Sequence, residues 1–194
     1  MGRAVGTDPV TCFSDCGSFS GLSSGRTFAM SPMQHLGLTW PALAERVERS
    51  GRWPSWVAAE PILASAGGLD EVMTIAADSA HPRRAAGLLA ALVRLGAADG
   101  GNDQDAAAVV ALLLANGAAR LAGQLRNLSG DIDQMVAGQV WLQIREFPWR
   151  RRRRAIAANI LMGARRSGMR DIGGAVRRCG RGVDGARVGW GVWG

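Results

Sequence analysis

The sequence predicts an all-α protein. Apolar residues make up 47% of the chain, enough to bury a core, and much of that share is alanine. Residues that favour strands are few, since the chain has no tyrosine, and isoleucine and threonine are scarce. Apolar residues also recur at helical spacing. We therefore expect one compact helical bundle, with ragged ends, from this chain of 194 residues.

Residues 34–98 are expected to form four short helices. The first helix extends to Ser50. Thr39 can cap its start, and Pro41 falls within its first turn, where proline is favoured. This region also contains three tryptophans near the predicted helix ends. Isolated aromatics at such places usually bury themselves, so we interpret them as packing anchors rather than a base-stacking platform. They are Trp40, Trp53 and Trp56.

Helix-stopping residues bound the next three predicted helices. The second runs from Pro54 to Ala66 and is ended by Gly67 and Gly68. Apolar recurrence predicts a third helix over residues 69–80 and a fourth over residues 82–98.

A Gly/Asp linker over residues 98–102 precedes the longest predicted helix. Asp103 can cap it, and its apolar side continues for about six turns to Leu128. Ser129 and Gly130 then end it. This pattern predicts one continuous central core helix.

Two further helices are predicted on either side of Pro148. Proline lacks an N–H and disfavours the helical conformation of the residue before it, so the first helix should end at Phe147 and the second begin near Trp149. The second should extend to Arg170. The first helix carries apolar residues at helical spacing, which gives it one buried face. They are Ile132, Val136, Val140 and Ile144.

Both ends of the chain have a low-complexity composition. Residues 1–33 are rich in Gly, Ser and Thr, and residues 171–194 are rich in Gly and Arg. Such segments bury too little apolar surface to offset the conformational entropy that ordering would cost, so both are expected to be disordered. The predicted organisation is thus a disordered N-terminus, an N-terminal helical segment over residues 34–98, a helical bundle over residues 99–170, and a basic tail.

The net charge of +7 is unevenly distributed along the chain. From Arg145 to the end, 13 arginines stand against three acidic residues, whereas residues 1–144 carry 10 arginines and 13 acidic residues. The C-terminal part is therefore the candidate anion-binding region, and a polyphosphate is the expected anion. A solvated charge run that only keeps the protein in solution is the alternative. An acidic membrane surface is a weaker third option, because residues 150–154 are contiguous rather than spread over one helix face.

Several classes of function are disfavoured by the composition. The chain has no lysine, which excludes a phosphate-binding loop ending in Gly-Lys-Ser/Thr and a Schiff base to pyridoxal phosphate. Three separated cysteines and an isolated His81 offer no metal site, and no nucleophile with its base can be assembled. We expect no enzyme activity, no cofactor and no small-molecule substrate.

The chain is expected to be cytoplasmic, without a membrane partner. It has no apolar N-terminal run typical of a secretory signal. The apolar stretch from Ala106 to Ala119 is too short to span a bilayer.

The helix after Gly130 carries a spaced motif. Its residues are, in order, Asp131-Ile132-Asp133-Gln134, Val140-Trp141, Ile144 and Phe147. This order and spacing resembles the second helix of region 2 in bacterial RNA polymerase sigma factors, especially the short extracytoplasmic-function type. Ile156-Ala157-Ala158-Asn159-Ile160, followed by Arg165-Arg166, is similar to the family's next helix. The resemblance covers about residues 103–170.

The resemblance implies two binding surfaces on a compact helical bundle. The helix from Asp131 to Phe147 would dock on RNA polymerase, with contacts from Asp131, Asp133 and Gln134. The following helix would face promoter DNA at the melted −10 element. Its candidate DNA-binding residues are Trp149, Arg150, Arg151, Arg152, Arg153, Arg154, Arg165, Arg166 and Arg170.

The chain departs from the family's pattern in three places. Met135 replaces an acidic residue of the motif, Trp149 is the single aromatic in a connection where the family has several, and nothing after Asp171 resembles the helix-turn-helix of the family's fourth region. The alternative prediction is therefore a sigma-like bundle that acts as a basic nucleic-acid- or protein-binding module without initiating transcription.

Overall fold

Helices form all the regular structure in the residues that the computed structural model describes, which are 32–78 and 80–183. The α-helices, in chain order, are α1 (Trp40–Arg49), α2 (Arg52–Ala59), α3 (Leu69–Ala77), α4 (Pro82–Gly96), α5 (Gln104–Leu113), α6 (Ala115–Leu125), α7 (Ile132–Arg145) and α8 (Ile156–Val183). Short 3₁₀ helices cover Pro32–Leu36, Pro61–Ser65 and Arg126–Leu128. The predicted all-α class is confirmed.

The second predicted helix is divided in the structure. It begins at Arg52 and ends at Ala59, and a 3₁₀ helix follows from Pro61 to Ser65. Pro61 has no N–H to continue the α-helical hydrogen bonds and disfavours the helical conformation at Glu60, whose φ is −133° and ψ is 85°. The expectation of one helix from Pro54 to Ala66 was therefore wrong.

The predicted central helix is broken at Leu114. The axes of the segments on either side of the break differ in direction by 62°. The apolar pattern of the sequence continues through the break, so the pattern does not reveal where the helix axis changes direction. The position of the break depends on how the two segments pack. Residues 106–111 of α5 are buried on every side, whereas α6 turns to pack against α7 and α8. The cap at Asp103 is confirmed, because its side chain accepts hydrogen bonds from the N–H groups of Asp105 and Ala106.

The apolar core runs without interruption from Met33 to Ala164, so it crosses the predicted boundary between residues 98 and 99. Met33 is only 1% exposed, and its 3₁₀ helix packs against α6 and α7. The disordered N-terminus was expected to reach residue 33, and the structure corrects this, because Pro32 and Met33 are buried. Residues 1–31 lie outside the described part.

The predicted packing role of the three N-terminal tryptophans is confirmed. Trp56 is buried, while Trp40 and Trp53 are partly buried against the core. Trp53 and Trp56 also contact each other in an edge-to-face arrangement, with ring centroids 6.2 Å apart.

α7 and α8 form an antiparallel pair that presents the candidate site. Gln143 near the end of α7 lies against Gly163, and Met135 near its start lies against Gly168. α8 begins at Ile156 rather than near Trp149, because residues 148–151 form a turn instead. It continues to Val183, so residues 171–183 are helical, which corrects the expected disordered tail; residues 184–194 lie outside the described part.

No single described helix combines the length and hydropathy needed to cross a membrane. Among the described residues, one bent pair of helices, formed by residues 104–113 and 115–128, reaches the required length and hydropathy when the two are taken together.

Candidate nucleic-acid interface

The candidate interface begins with the five exposed arginines of residues 150–154, here called the arginine loop. Pro148 ends the helical hydrogen bonding of α7, and its carbonyl oxygen accepts hydrogen bonds from the N–H groups of Arg151 and Arg152, both at 3.0 Å. The arginine loop therefore starts in a tight turn. Five adjacent cations are thus concentrated at the junction of two helices.

The arginine loop is held at its far end by Asn159. The Asn159 side-chain amide donates a hydrogen bond to the carbonyl oxygen of Arg154 at 3.0 Å. Its backbone N–H bonds the carbonyl oxygen of Ala155 at 2.9 Å. Ala155 itself has a φ of +49°, in the left-handed region that residues other than glycine rarely adopt. The Asn159 side chain and the five arginines together line an open concavity on the surface.

Among the described residues, no carboxylate forms an ion pair with the arginine loop, in contrast to the N-terminal helices. Arg46 and Arg52 form ion pairs with Asp105, and Arg94 pairs with Glu60. For residues 151–154, no described carboxylate lies within ion-pair distance. Their charge is therefore available to an external anion.

α8 extends the basic surface through Arg165, Arg166 and Arg170, all of which are exposed. Asn159, Arg166 and Arg170 are spaced seven and four residues apart, so they lie on one face of the helix. At about 1.5 Å per residue, this face extends the surface by about 16 Å beyond Asn159. Arg166 and Arg170 thus share a helix face with Asn159, which borders the arginine loop, whereas Arg165 lies about 100° around the helix from Arg166.

The side chain of Trp149 is hydrogen-bonded to the turn between α4 and α5. Its indole Nε1–H donates to the Asp99 carboxylate at 3.0 Å, and the Arg150 guanidinium lies 4.8 Å from the centre of its ring. Arg150 also donates to the carbonyl oxygen of Asp99 at 3.4 Å. Sequence reasoning missed Asp99, because a contact between residues fifty positions apart has no local signal.

The predicted polymerase-binding residues lie at the opposite end of α7 from the arginine loop. Asp131 and Gln134 are exposed in or beside its first turn, and Asp133 is partly exposed. An α-helix of 14 residues is about 21 Å long, so the two predicted surfaces are well separated. Met135, the departure from the motif, packs against Gly168 of α8.

We compared the chain with known protein families, characterised proteins and solved structures. No family model matches it, and no match was found among characterised proteins or solved structures.

Proposed function

We propose that this protein binds DNA through the phosphate backbone, using the arginine loop and the basic face of α8. The observation that carries the proposal is the set of exposed arginines at residues 151–154, for which no described carboxylate lies within ion-pair distance. Guanidinium groups suit phosphates because they present several N–H donors in a planar fork and stay charged at all ordinary pH values. Each neutralised phosphate releases counterions and so strengthens binding at low salt.

The fuller form of this proposal is a sigma-like transcription protein. In that form, Asp131, Asp133 and Gln134 contact RNA polymerase while the opposite end of α7 and the start of α8 meet promoter DNA. The exposure of Asp131 and Gln134, about 20 Å from the arginine loop, supports it, because two large partners need separate surfaces. The protein would then act in the cytoplasm without catalysis, membrane or cofactor.

The alternative is a basic nucleic-acid- or protein-binding module that does not initiate transcription. Two observations favour it. Met135 packs against α8 in place of an acidic contact residue, and the indole N–H of Trp149 is engaged by Asp99.

Salt dependence tests the DNA-binding proposal. Replacing residues 150–154 with glutamine should flatten the slope of log affinity against log salt by about four units, since each phosphate contact contributes about 0.9. The same five positions changed to lysine should keep most of the slope, because the charge remains. The single exchange Arg152→Gln should flatten the slope by about one unit. Its matched control is Arg83→Gln, at an exposed arginine of α4, which should leave the slope unchanged. An identical slope in the five-glutamine variant would refute the proposal.

Co-purification tests the sigma-like form. Core RNA polymerase should be retained by the wild-type protein and lost by a variant with Asp131→Ala and Gln134→Ala, while DNA binding is unchanged. DNA binding without any polymerase retention would leave only the alternative.

A further inference from the structure

We infer that Trp149 positions the arginine loop instead of stacking on bases, and that the surface consequently recognises the phosphates of a closed duplex. The inference rests on the proposed DNA binding and specifies the form of DNA that is bound. It departs from what the family resemblance implies, in which aromatic residues of this connection hold melted bases.

The indole of Trp149 is occupied on its polar edge and on one face. The edge donates to the Asp99 carboxylate at 3.0 Å, and the guanidinium of Arg150 covers the ring at 4.8 Å. The ring is also partly buried against the core. A base could stack on this indole only after Arg150 moved away or the indole left the core.

At the turn that contacts Trp149, the backbone of Gly100 lies close to both the Arg94 carbonyl oxygen and the Trp149 indole. A Cβ atom placed on Gly100 would lie 2.1 Å from the carbonyl oxygen of Arg94 and 3.3 Å from the Nε1 atom of Trp149. Only glycine therefore lets the chain turn here while the indole reaches the adjacent Asp99. The backbone on the other side is also anchored, since the N–H of Trp149 bonds the carbonyl oxygen of Phe147 at 2.8 Å and Phe147 is buried.

These contacts set where the arginine loop starts. Asp99 holds the Trp149 side chain and accepts from Arg150 through its carbonyl oxygen, so the first arginine is attached to the α4–α5 turn. Trp149 is therefore a positioning residue for the arginines that follow.

Within residues 147–170, no other aromatic side chain is free to stack on bases. Residues 150–170 contain no aromatic side chain, and the side chain of Phe147 is buried. Single-stranded nucleic acid binds proteins largely through such stacking, whereas a duplex offers the denser row of phosphates. A surface of arginines without a free aromatic should thus favour the duplex.

The test compares a duplex of about 20 base pairs with one of its strands, using fluorescence anisotropy at several salt concentrations. The wild-type protein should bind the duplex at least fivefold more tightly. Asp99→Ala removes the acceptor for the indole, so its affinity for the single strand should rise by about fivefold or more, the effect of one stacked base, and the duplex preference should fall.

Asp70→Ala is the matched control for Asp99→Ala. Asp70 accepts a hydrogen bond from the Nε1–H of Trp40 at 2.9 Å, so this exchange removes the same charge and the same kind of bond away from the arginine loop. It should leave the duplex preference unchanged. Loss of the charge alone would strengthen the binding of both DNA forms, and more at Asp99 than at Asp70, without favouring the single strand. A selective gain for the single strand therefore isolates the release of the indole.

Trp149→Phe provides a second variant if Asp99→Ala fails to fold, because it keeps an aromatic ring, although a smaller one, and lacks the N–H that binds Asp99. It should also reduce the duplex preference. Stronger wild-type binding to the single strand, with the dependence on the arginines intact, would overturn this inference and leave the proposed DNA binding in place. Absence of salt-dependent binding to either DNA form would overturn both.

Discussion

The Asn159 side-chain amide donates a hydrogen bond to the carbonyl oxygen of Arg154 at 3.0 Å and thereby joins the first turns of α8 to the last residue of the arginine loop. Because Ala155 lies between them in the left-handed region, this bond holds a backbone conformation that alanine does not favour. Asn159 therefore fixes the backbone conformation through which the arginine loop enters α8.

Asn159→Ala should weaken DNA binding severalfold and lower the free energy of unfolding by about 1 kcal/mol, the usual value of one hydrogen bond. Gln139→Ala is the matched control, since the Gln139 amide donates to Asp171 at 2.7 Å between α7 and α8. It should cost similar stability without changing DNA affinity. Anisotropy and urea denaturation measure the two quantities, and equal DNA affinities for the two variants would contradict the assigned role of Asn159.

Ala155→Gly should raise the free energy of unfolding by about 0.5–1 kcal/mol. Glycine adopts a φ of +49° without steric cost, and this gain exceeds the added entropy of the unfolded chain. Ala158→Gly, inside α8, should instead lower stability by about 0.5–1 kcal/mol. Urea denaturation of both variants checks the opposite signs.

Gly100→Ala should destabilise the protein by about 1–3 kcal/mol, because the new Cβ would overlap the backbone oxygen of Arg94. Gly123→Ala provides the comparison. It lies exposed in α6 with no atom within 4 Å of the new Cβ, so alanine should stabilise the helix by about 0.5–1 kcal/mol. Thermal unfolding followed by circular dichroism distinguishes the two. A neutral Gly100→Ala variant would argue against the close approach at this turn.

Asp103 should make stability depend on acid pH. Burial raises the pKa of this carboxyl, but hydrogen bonds from the Trp56 indole and the Ala106 N–H, together with Arg52, outweigh burial and hold the pKa below its ordinary value. A carboxylate with a lowered pKa stabilises the fold above its unfolded pKa of about 3.9, and this stabilisation is lost as the pH falls below that value through the folded pKa.

Asp103→Asn should therefore cost about 1–3 kcal/mol at pH 7 and less below about pH 4. Urea denaturation of the variant and the wild type across this range measures the difference. A difference in stability that stayed constant down to pH 2 would show that the carboxylate charge is not responsible.

Met33→Ala should lower the free energy of unfolding by about 2–5 kcal/mol, because Met33 is 1% exposed and its removal leaves a cavity in the core. Met162→Ala is the control, since Met162 on α8 is 58% exposed and should change stability by less than about 0.5 kcal/mol. Similar losses in both variants would contradict the packing of the Pro32–Leu36 segment on the bundle.

Local sequence patterns were sufficient for the helical class and for most helix positions. Apolar spacing located α4 and α7 to within two residues at each end, Asp103 was recognised as a cap by its residue type, and the stop before Pro148 follows from the chemistry of proline. Each of these depends on residues within about one helical turn of one another. The exposure of the arginine loop is also a local property, because five adjacent charges are too costly to bury.

The remaining features arise from contacts between distant segments. The break at Leu114 falls inside an apolar run that would suit a straight helix equally well, and the attachment of Trp149 to Asp99 joins residues fifty positions apart. The burial of Met33 likewise depends on the packing of the Pro32–Leu36 segment against α6 and α7. Periodicity shows which side of a helix is apolar, but which neighbour covers that side is settled by the packing of the whole chain.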